Sequence, residues 1–352
     1  MRVVRAVLDG KTPRPTWSVA PSAVNDLAGR FPEAKLRTPP LLRVPDLDRT
    51  ADPTGRTRVW LALESLQVTG SFKVRGALTA LADAKERLGA GARIVAASAG
   101  NHGAGVAYAA RALGLAATIV MPADAPEAKR ARVLGYGAEL VRCPSPYYDD
   151  AEAHGRELAA RTGALFVSPY EDDLVAAGNG GSLGFEVARA LGRKPDILLC
   201  PFGGGGLASG LAWALDAPDD PSRRVWGVQS EASPAMALSL TKGAAVTRLE
   251  GDAETLAEGL EGGISEAGFA RARGSVAGVI VVSESDLGRA MSYGLRELGL
   301  VLEGSAATAL APLLLGLPSE LPVAHEGQDC VALLTGRNVD RERLLRLPRA
   351  GE

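Results

Sequence analysis

What this 352-residue chain has least of narrows its chemistry first. Only three histidines occur, His102, His154 and His325, and no HExxH or other ligand spacing joins them. A histidine-built metal centre is therefore not expected, and no metal ligands are assigned. Three cysteines, Cys143, Cys200 and Cys330, lie far apart without CxxC spacing. Two of them sit in the apolar runs DILLCPF and DCVALLTG, which fits buried thiols in a reducing compartment better than a disulfide framework. No apolar run approaches the roughly 20 residues that cross a bilayer. No N-terminal stretch has the charged, apolar and small-residue regions of a signal peptide. The expectation is a cytoplasmic protein that does not engage a membrane. An excess of one charge is missing too, with 39 Lys and Arg against 41 Asp and Glu. The densest basic stretch, RERLLRLPR at 341–349, reads as a solvated helical face, so nucleic acid is not an expected partner.

What remains is an ordinary globular composition, 46% hydrophobic and 23% charged, long enough for two domains or one large α/β unit. Short β-branched runs alternate with Ala/Leu-rich helical stretches. RIVAAS (93–98) precedes GAGVAYAARALG, AATIVMP (116–122) precedes APEAKRARVLGYG, and AELVRC follows. Further on come DILLCPF, RVWGVQS, GVIVVS and DCVALLTG. This alternation predicts an α/β protein, with parallel sheet covered by helices. Compact units between about 92 and 168 suggest a smaller lobe, leaving a larger one built from both ends of the chain. Region 1–58 is richer in proline and polar residues and is expected to wrap the surface.

Ligands of open parallel sheets sit beyond the carboxyl ends of strands, and three strand ends here are unusual. VAASAGNHG places Ser98, Gly100, Asn101, His102 and Gly103 in a turn that opens a helix. LLCPFGGGGLASG places Gly203, Gly204, Gly205 and Gly206 before another helix. VALLTGRN ends its apolar strand at Thr335. Consecutive glycines let backbone N–H groups close around an anion, and a helix N-terminus adds its dipole. GGGGLA also loosely fits a dinucleotide fingerprint, with Glu231 as its acidic partner. That match falls late in the chain and leaves the asparagine-histidine turn unexplained. It also leaves SFKVRG unexplained, where Lys73 enters the first turn of a helix, the end at which the macrodipole disfavours a cation. Asn101 alone would be a helix cap, and Thr335 alone a turn hydroxyl; their weight comes from the combination.

Taken together, TGSFKVRGAL (69–78), SAGNHGAGVAYAARALG (98–114), MPADAPEAKRARVLGYGAELV (121–141), PFGGGGLASGLA (201–212), VLEGSAATALA (301–311) and LLTGRN (333–338) carry a family likeness. With these motifs in this order, the chain resembles the fold-type II pyridoxal-phosphate (PLP) enzymes, the tryptophan synthase β family. The resemblance is to its threonine/serine dehydratase and serine racemase branch. It implies a two-domain open parallel-sheet architecture with the cofactor in the cleft between lobes. Residues 1–91 and 169–352 would form the large PLP-binding domain and 92–168 a small mobile domain. It implies that Lys73, the catalytic residue, bonds covalently to PLP, with Phe72 packed beside it and Asn101 at the cofactor's 3′-oxygen. Gly203, Gly204, Gly205 and Gly206 would hold the phosphate, Thr335 would meet the pyridine nitrogen, and Glu303 would lie near the ring. Ser98, Ala99, Gly100, Asn101 and His102 would embrace the substrate carboxylate.

The implied activity is that of an ammonia-lyase, eliminating water from a small hydroxy amino acid such as L-serine or L-threonine to give a 2-oxo acid and ammonia. The resemblance also implies a homodimer. Departures from the family pattern keep alternatives open. Ala99 stands where the racemases carry a serine, which argues against racemisation. SPYEDDLVAAGNGGS (168–182) varies the dehydratase segment at Tyr170 and Asn179, and Gln229 replaces a cation-site glutamate. Arg337 adds a cation beside Thr335. A PLP-dependent β-replacement, or elimination from another β-substituted amino acid, is the second reading. A non-catalytic or nucleotide-binding protein is the third.

Overall fold

The computed structural model describes residues 1–6, 15–216, 223–250, 254–322 and 325–347. The last residues of RERLLRLPR lie outside the described residues. Eleven strands among those described form two sheets: β1 (Arg2–Arg5), β2 (Leu41–Arg43), β3 (Thr57–Ala62), β4 (Arg93–Ala97), β5 (Ala116–Pro122), β6 (Glu139–Cys143), β7 (Leu165–Phe166), β8 (Ile197–Pro201), β9 (Val225–Ser230), β10 (Gly278–Val282) and β11 (Gln328–Leu333). One sheet has seven strands in the order β1-β10-β9-β8-β11-β3-β2; the other has four in the order β6-β5-β4-β7. The four-stranded sheet is parallel throughout. The seven-stranded sheet is parallel from β10 to β3, with β1 and β2 antiparallel at its edges. The α/β class is as predicted.

The N-terminal region departs from expectation. Residues read as surface wrapping supply both edge strands and the first two residues of β3. Strands of four and three residues are too short to show a period, and that is why composition alone missed them.

The central strands read as near-continuous apolar runs because both of their faces are covered. Successive residues point to opposite sides. Leu199, Val228, Ile280 and Ala332 enter one core; Leu198, Cys200, Val279 and Val331 enter the other. All three cysteines are buried and free.

A lysine helix (Lys73–Leu88), an asparagine helix (Asn101–Leu113) and a glycine-loop helix (Gly206–Leu215) hold the parts that matter for function. The lysine helix turns Ala77, Leu78, Leu81 and Ala84 into a core shared with Ile94, Val106 and Ile119 of the four-stranded side. On the other side it meets a continuous helical run. That run is an α-turn (Asp173–Ala176), a π-turn (Ala177–Gly181) and an α-helix (Ser182–Leu191). Within the π-turn, Asn179 Oδ1 accepts the Gly76 backbone N–H at 2.8 Å. Gly180 and Gly210 bring the same run into backbone contact with the glycine-loop helix. A Cβ on Gly180 would stand 2.2 Å from the Leu207 carbonyl oxygen, and one on Gly210 2.4 Å from that of Ala176. Asn179 and these glycines thus fix where two functional helix N-termini stand relative to each other.

Beneath Lys73, the buried Arg75 guanidinium grips Glu64 at 2.8 Å and Glu186 at 2.7 and 3.0 Å. It also donates to Ser182 Oγ and the Arg37 carbonyl. A buried cation persists only when its donors are paired in this way.

Candidate active site

Three adjacent parallel strands, β8, β11 and β3, deliver their carboxyl ends to one edge of the sheet. The glycine turn follows β8, Thr335 follows β11, and the segment leading to Lys73 follows β3. β4 of the second sheet brings the turn Ser98–Asn101 to face them. Lys73 is fixed by a short antiparallel ladder: the Phe72 N–H donates to Thr335 O at 3.1 Å, and the Arg337 N–H donates to Gly70 O at 2.9 Å.

Lys73 is the first residue of its helix, and no acidic residue accompanies it in the first turn. Its Nζ finds no hydrogen-bonding or ionic partner among the described residues. It lies 5.4 Å from the Phe72 ring centroid and 5.3 Å from that of Tyr170. Burial pulls its pKa down to about 8, while the charge of Glu303 pulls the other way. The cation that looked misplaced in the sequence is thus an amine close to losing its proton.

The glycine turn is built for an anion. Gly205 has φ +86°, a left-handed conformation that favours glycine, and it sets the turn at the start of a ten-residue helix. The backbone N–H groups of Gly203, Gly204, Gly205 and Gly206 have no acceptor among the described residues. Four successive amide donors without protein acceptors at a helix N-terminus match a phosphate. Tyr170 closes one side, since a Cβ on Gly204 would come within 2.6 Å of its ring. Thr335 is buried, and its hydroxyl has no partner among the described residues. An amine, a hydroxyl and four amide donors without protein partners, spread across one edge of the sheet, are the groups PLP needs; on this test the residues fit the cofactor.

The asparagine-histidine turn divides its labour. The Gly100 N–H donates to Ser98 Oγ at 3.0 Å, while Ala99 is half-buried and Gly100 exposed. Asn101 starts its helix and donates Nδ2 to both Glu303 oxygens, at 2.8 and 3.1 Å. The His102 ring is buried, with Nε2 at 3.0 Å from the Val167 carbonyl and Nδ1 unpartnered. Burial and the charge of Lys73 lower its pKa to about 3, so the imidazole is neutral with its proton on Nε2. Glu303 reaches the cluster from the start of the short helix Gly304–Ala307.

Sequence reasoning missed Asn338, which donates Nδ2 to Asn101 Oδ1 at 2.6 Å and to the Thr69 carbonyl at 3.0 Å. Its signal was its place three residues past Thr335 at a strand end. Tyr170 was noticed only as a variant; its contact with both the glycine turn and Lys73 depends on tertiary placement. Arg337 is exposed. Gln229 braces the chain, donating to the Phe202 carbonyl and accepting from the Ala237 N–H. Glu231 is exposed and accepts from the Glu284 N–H. No helix among the described residues is long and apolar enough to cross a membrane.

Residues 35–336 match the family described as pyridoxal-phosphate dependent enzyme. The chain is 35% identical over 323 residues to the L-threonine dehydratase catabolic TdcB of Staphylococcus aureus strain N315, covering 90% of each. Among solved structures it resembles the T.th. threonine deaminase, with 36% identity, a TM-score of 0.77, and 89% of this chain and 96% of that one covered. It also resembles a PLP-dependent aspartate racemase, with 26% identity, a TM-score of 0.82, and 95% and 99% covered.

Proposed function

The chain belongs to the pyridoxal-phosphate-dependent enzyme family, in its threonine/serine dehydratase and serine racemase branch, and from that premise we propose an ammonia-lyase. It would eliminate water from L-threonine or L-serine, yielding a 2-oxo acid and ammonia. The observation that carries the reading is an unpartnered Lys73 amine, with a lowered pKa, set opposite a glycine turn whose amides lack protein acceptors.

Bound PLP supplies an electron sink for the bond broken at the substrate's α-carbon. The chain's own residues do the rest. Lys73 would hold the cofactor, and its amine, when free, would serve as general base for the α-proton. Gly203, Gly204, Gly205 and Gly206 hold the phosphate through their N–H groups. Thr335 would meet the ring nitrogen with a neutral hydroxyl, which would not hold that nitrogen protonated as a carboxylate would. Phe72 packs beside the cofactor, and Asn101 binds it. Ser98, Ala99, Gly100 and Asn101 receive the substrate carboxylate. His102 belongs to the same turn, its ring turned to Val167 and neutral, so its contribution is shape and backbone rather than charge.

Ala99 has no proton to deliver to the far face of the substrate, so elimination is favoured over the racemisation named for one structural relative. Release of the 2-oxo acid from L-threonine or L-serine, abolished in Lys73→Ala, is the expected result. A panel that also holds other β-substituted amino acids decides the alternative. Turnover of those alone, with threonine and serine inert, would replace the dehydratase reading with the β-substituted one. The reading extends to a cytoplasmic homodimer with 92–168 as a mobile lobe over 1–91 and 169–352. Light scattering should give twice the chain's 36.3 kDa.

A further inference from the structure

Glu303, Asn101 and Asn338 form a closed ring of hydrogen bonds joining the ends of the two sheets. Asn101 opens the helix that follows β4, Asn338 follows β11, and Glu303 caps the short helix beside it. Each polar atom has an assigned role. Asn101 donates to both carboxylate oxygens and accepts from Asn338 Nδ2, and Asn338 donates its backbone N–H to Glu303 at 3.0 Å. The backbone N–H of Glu303 is itself tied to the Gly336 carbonyl at 3.1 Å. An amide engaged at both its oxygen and its nitrogen cannot flip without breaking two sets of bonds.

We propose that Glu303 is a positioning residue: its carboxylate locks the Asn101 amide in one orientation and clasps the asparagine helix to the turn after β11, and protonation releases the clasp. The inference rests on the PLP reading, which gives Asn101 a cofactor to meet. Three N–H···O contacts point at this carboxylate, and hydrogen bonds to a charged acceptor are the strong ones. A proton on either oxygen would set a donor against those donors.

The charged groups facing Glu303 are few. Lys73 approaches from the lysine helix, Arg132 from helix Glu127–Gly135, and Glu258 from the turn Glu258–Leu260; Arg337 is exposed on the clasped turn itself. Burial raises the Glu303 pKa to about 7, against the hydrogen bonds from Asn101 and Asn338 and the charge of Arg132, and with the charge of Glu258. In turn, Glu303 raises the pKa of Lys73.

The test measures PLP affinity of the full chain by the cofactor's absorbance from about pH 5 to about pH 9, together with melting temperature without PLP. Wild type should gain affinity on the order of tenfold across pH 7, as Glu303 becomes charged. Glu303→Gln should stay at the low-pH affinity and lack that step. It should also move the Lys73 step below pH 8, a change no loss of packing would cause. Asn338→Ala keeps the carboxylate and should show a smaller step at the same pH. A raised carboxyl pKa means the folded state holds the extra proton, so stability is lost as pH climbs from about 4.3 to about 7. Wild type should therefore lose melting temperature relative to Glu303→Gln over that interval, whereas a misfolded variant would sit lower throughout. Wild-type affinity and an unmoved Lys73 step in Glu303→Gln would overturn the clasp. Failure of wild type to bind PLP at all would instead overturn the cofactor reading beneath it.

Discussion

In the proposed reading Lys73 carries the chemistry of this site, and its burial lowers its pKa as that role requires. A surface lysine titrates near 10.4; here burial brings the amine to about 8. The rate at which cofactor-free protein captures PLP should rise through pH 8 and level off above it, as the neutral amine accumulates. Stopped-flow absorbance measures that rate, and a rise continuing past pH 10 would mean an ordinary lysine. Arg75, two residues on, has the opposite character, a permanently charged group sealed in by Glu64 and Glu186. Replacing it with alanine leaves two buried carboxylates without their cation and should cost about 3–5 kcal/mol, measured by urea denaturation.

The glycine-loop helix is where element geometry and function can be separated. A Cβ at Gly203 meets only Leu260 and the Gly259 carbonyl, no nearer than 3.4 Å, ordinary contacts, so Gly203→Ala should fold with stability changed by less than about 1 kcal/mol. It should nonetheless bind PLP at least about tenfold more weakly, because the added methyl narrows the cradle. Gly180→Ala inverts the pattern. Its Cβ would collide with the backbone of the glycine-loop helix, and the cost should be roughly 3 kcal/mol or more, visible in melting temperature before cofactor is added.

This contrast also marks how far the sequence could be read. β5 was legible to the residue, and β4, β6, β8, β9, β10 and β11 to within one or two, because their apolar runs end in turn signals. Lys73 and the glycine turn were legible as candidates because each is out of place for its local structure, and Asn101 and Thr335 only in combination with them. Asn338 and Tyr170 look ordinary in sequence and acquire their roles only when β11 and the 168–172 segment are brought beside the asparagine helix. The edge strands β1 and β2 were too short to carry a pattern.

At the scale of the whole molecule, the site is assembled from both sheets, and cofactor should therefore stabilise more than the residues it touches. Ligand bound only by the native state adds about 2.7 kcal/mol at a hundredfold excess over its dissociation constant. PLP should accordingly raise the melting temperature of wild type and raise it far less in Lys73→Ala. The ion pairs at Glu258 are weaker contributors. Lys129 and Arg343 both reach Glu258, at 3.4 and 2.5 Å, but Glu258 is about half exposed, where such pairs are worth about 0–1 kcal/mol. The hydrogen-bond ring at Glu303 is the better candidate for what holds the two sheets in register around the cofactor.

One measurement bears on all of this at once. Purified protein loaded with PLP is reduced with borohydride, digested, and its cofactor-bearing peptide sequenced by mass spectrometry. The account predicts a single modified residue, Lys73, within the peptide containing TGSF, and no stable label in Lys73→Ala. Label on another lysine, or none in wild type, would contradict it.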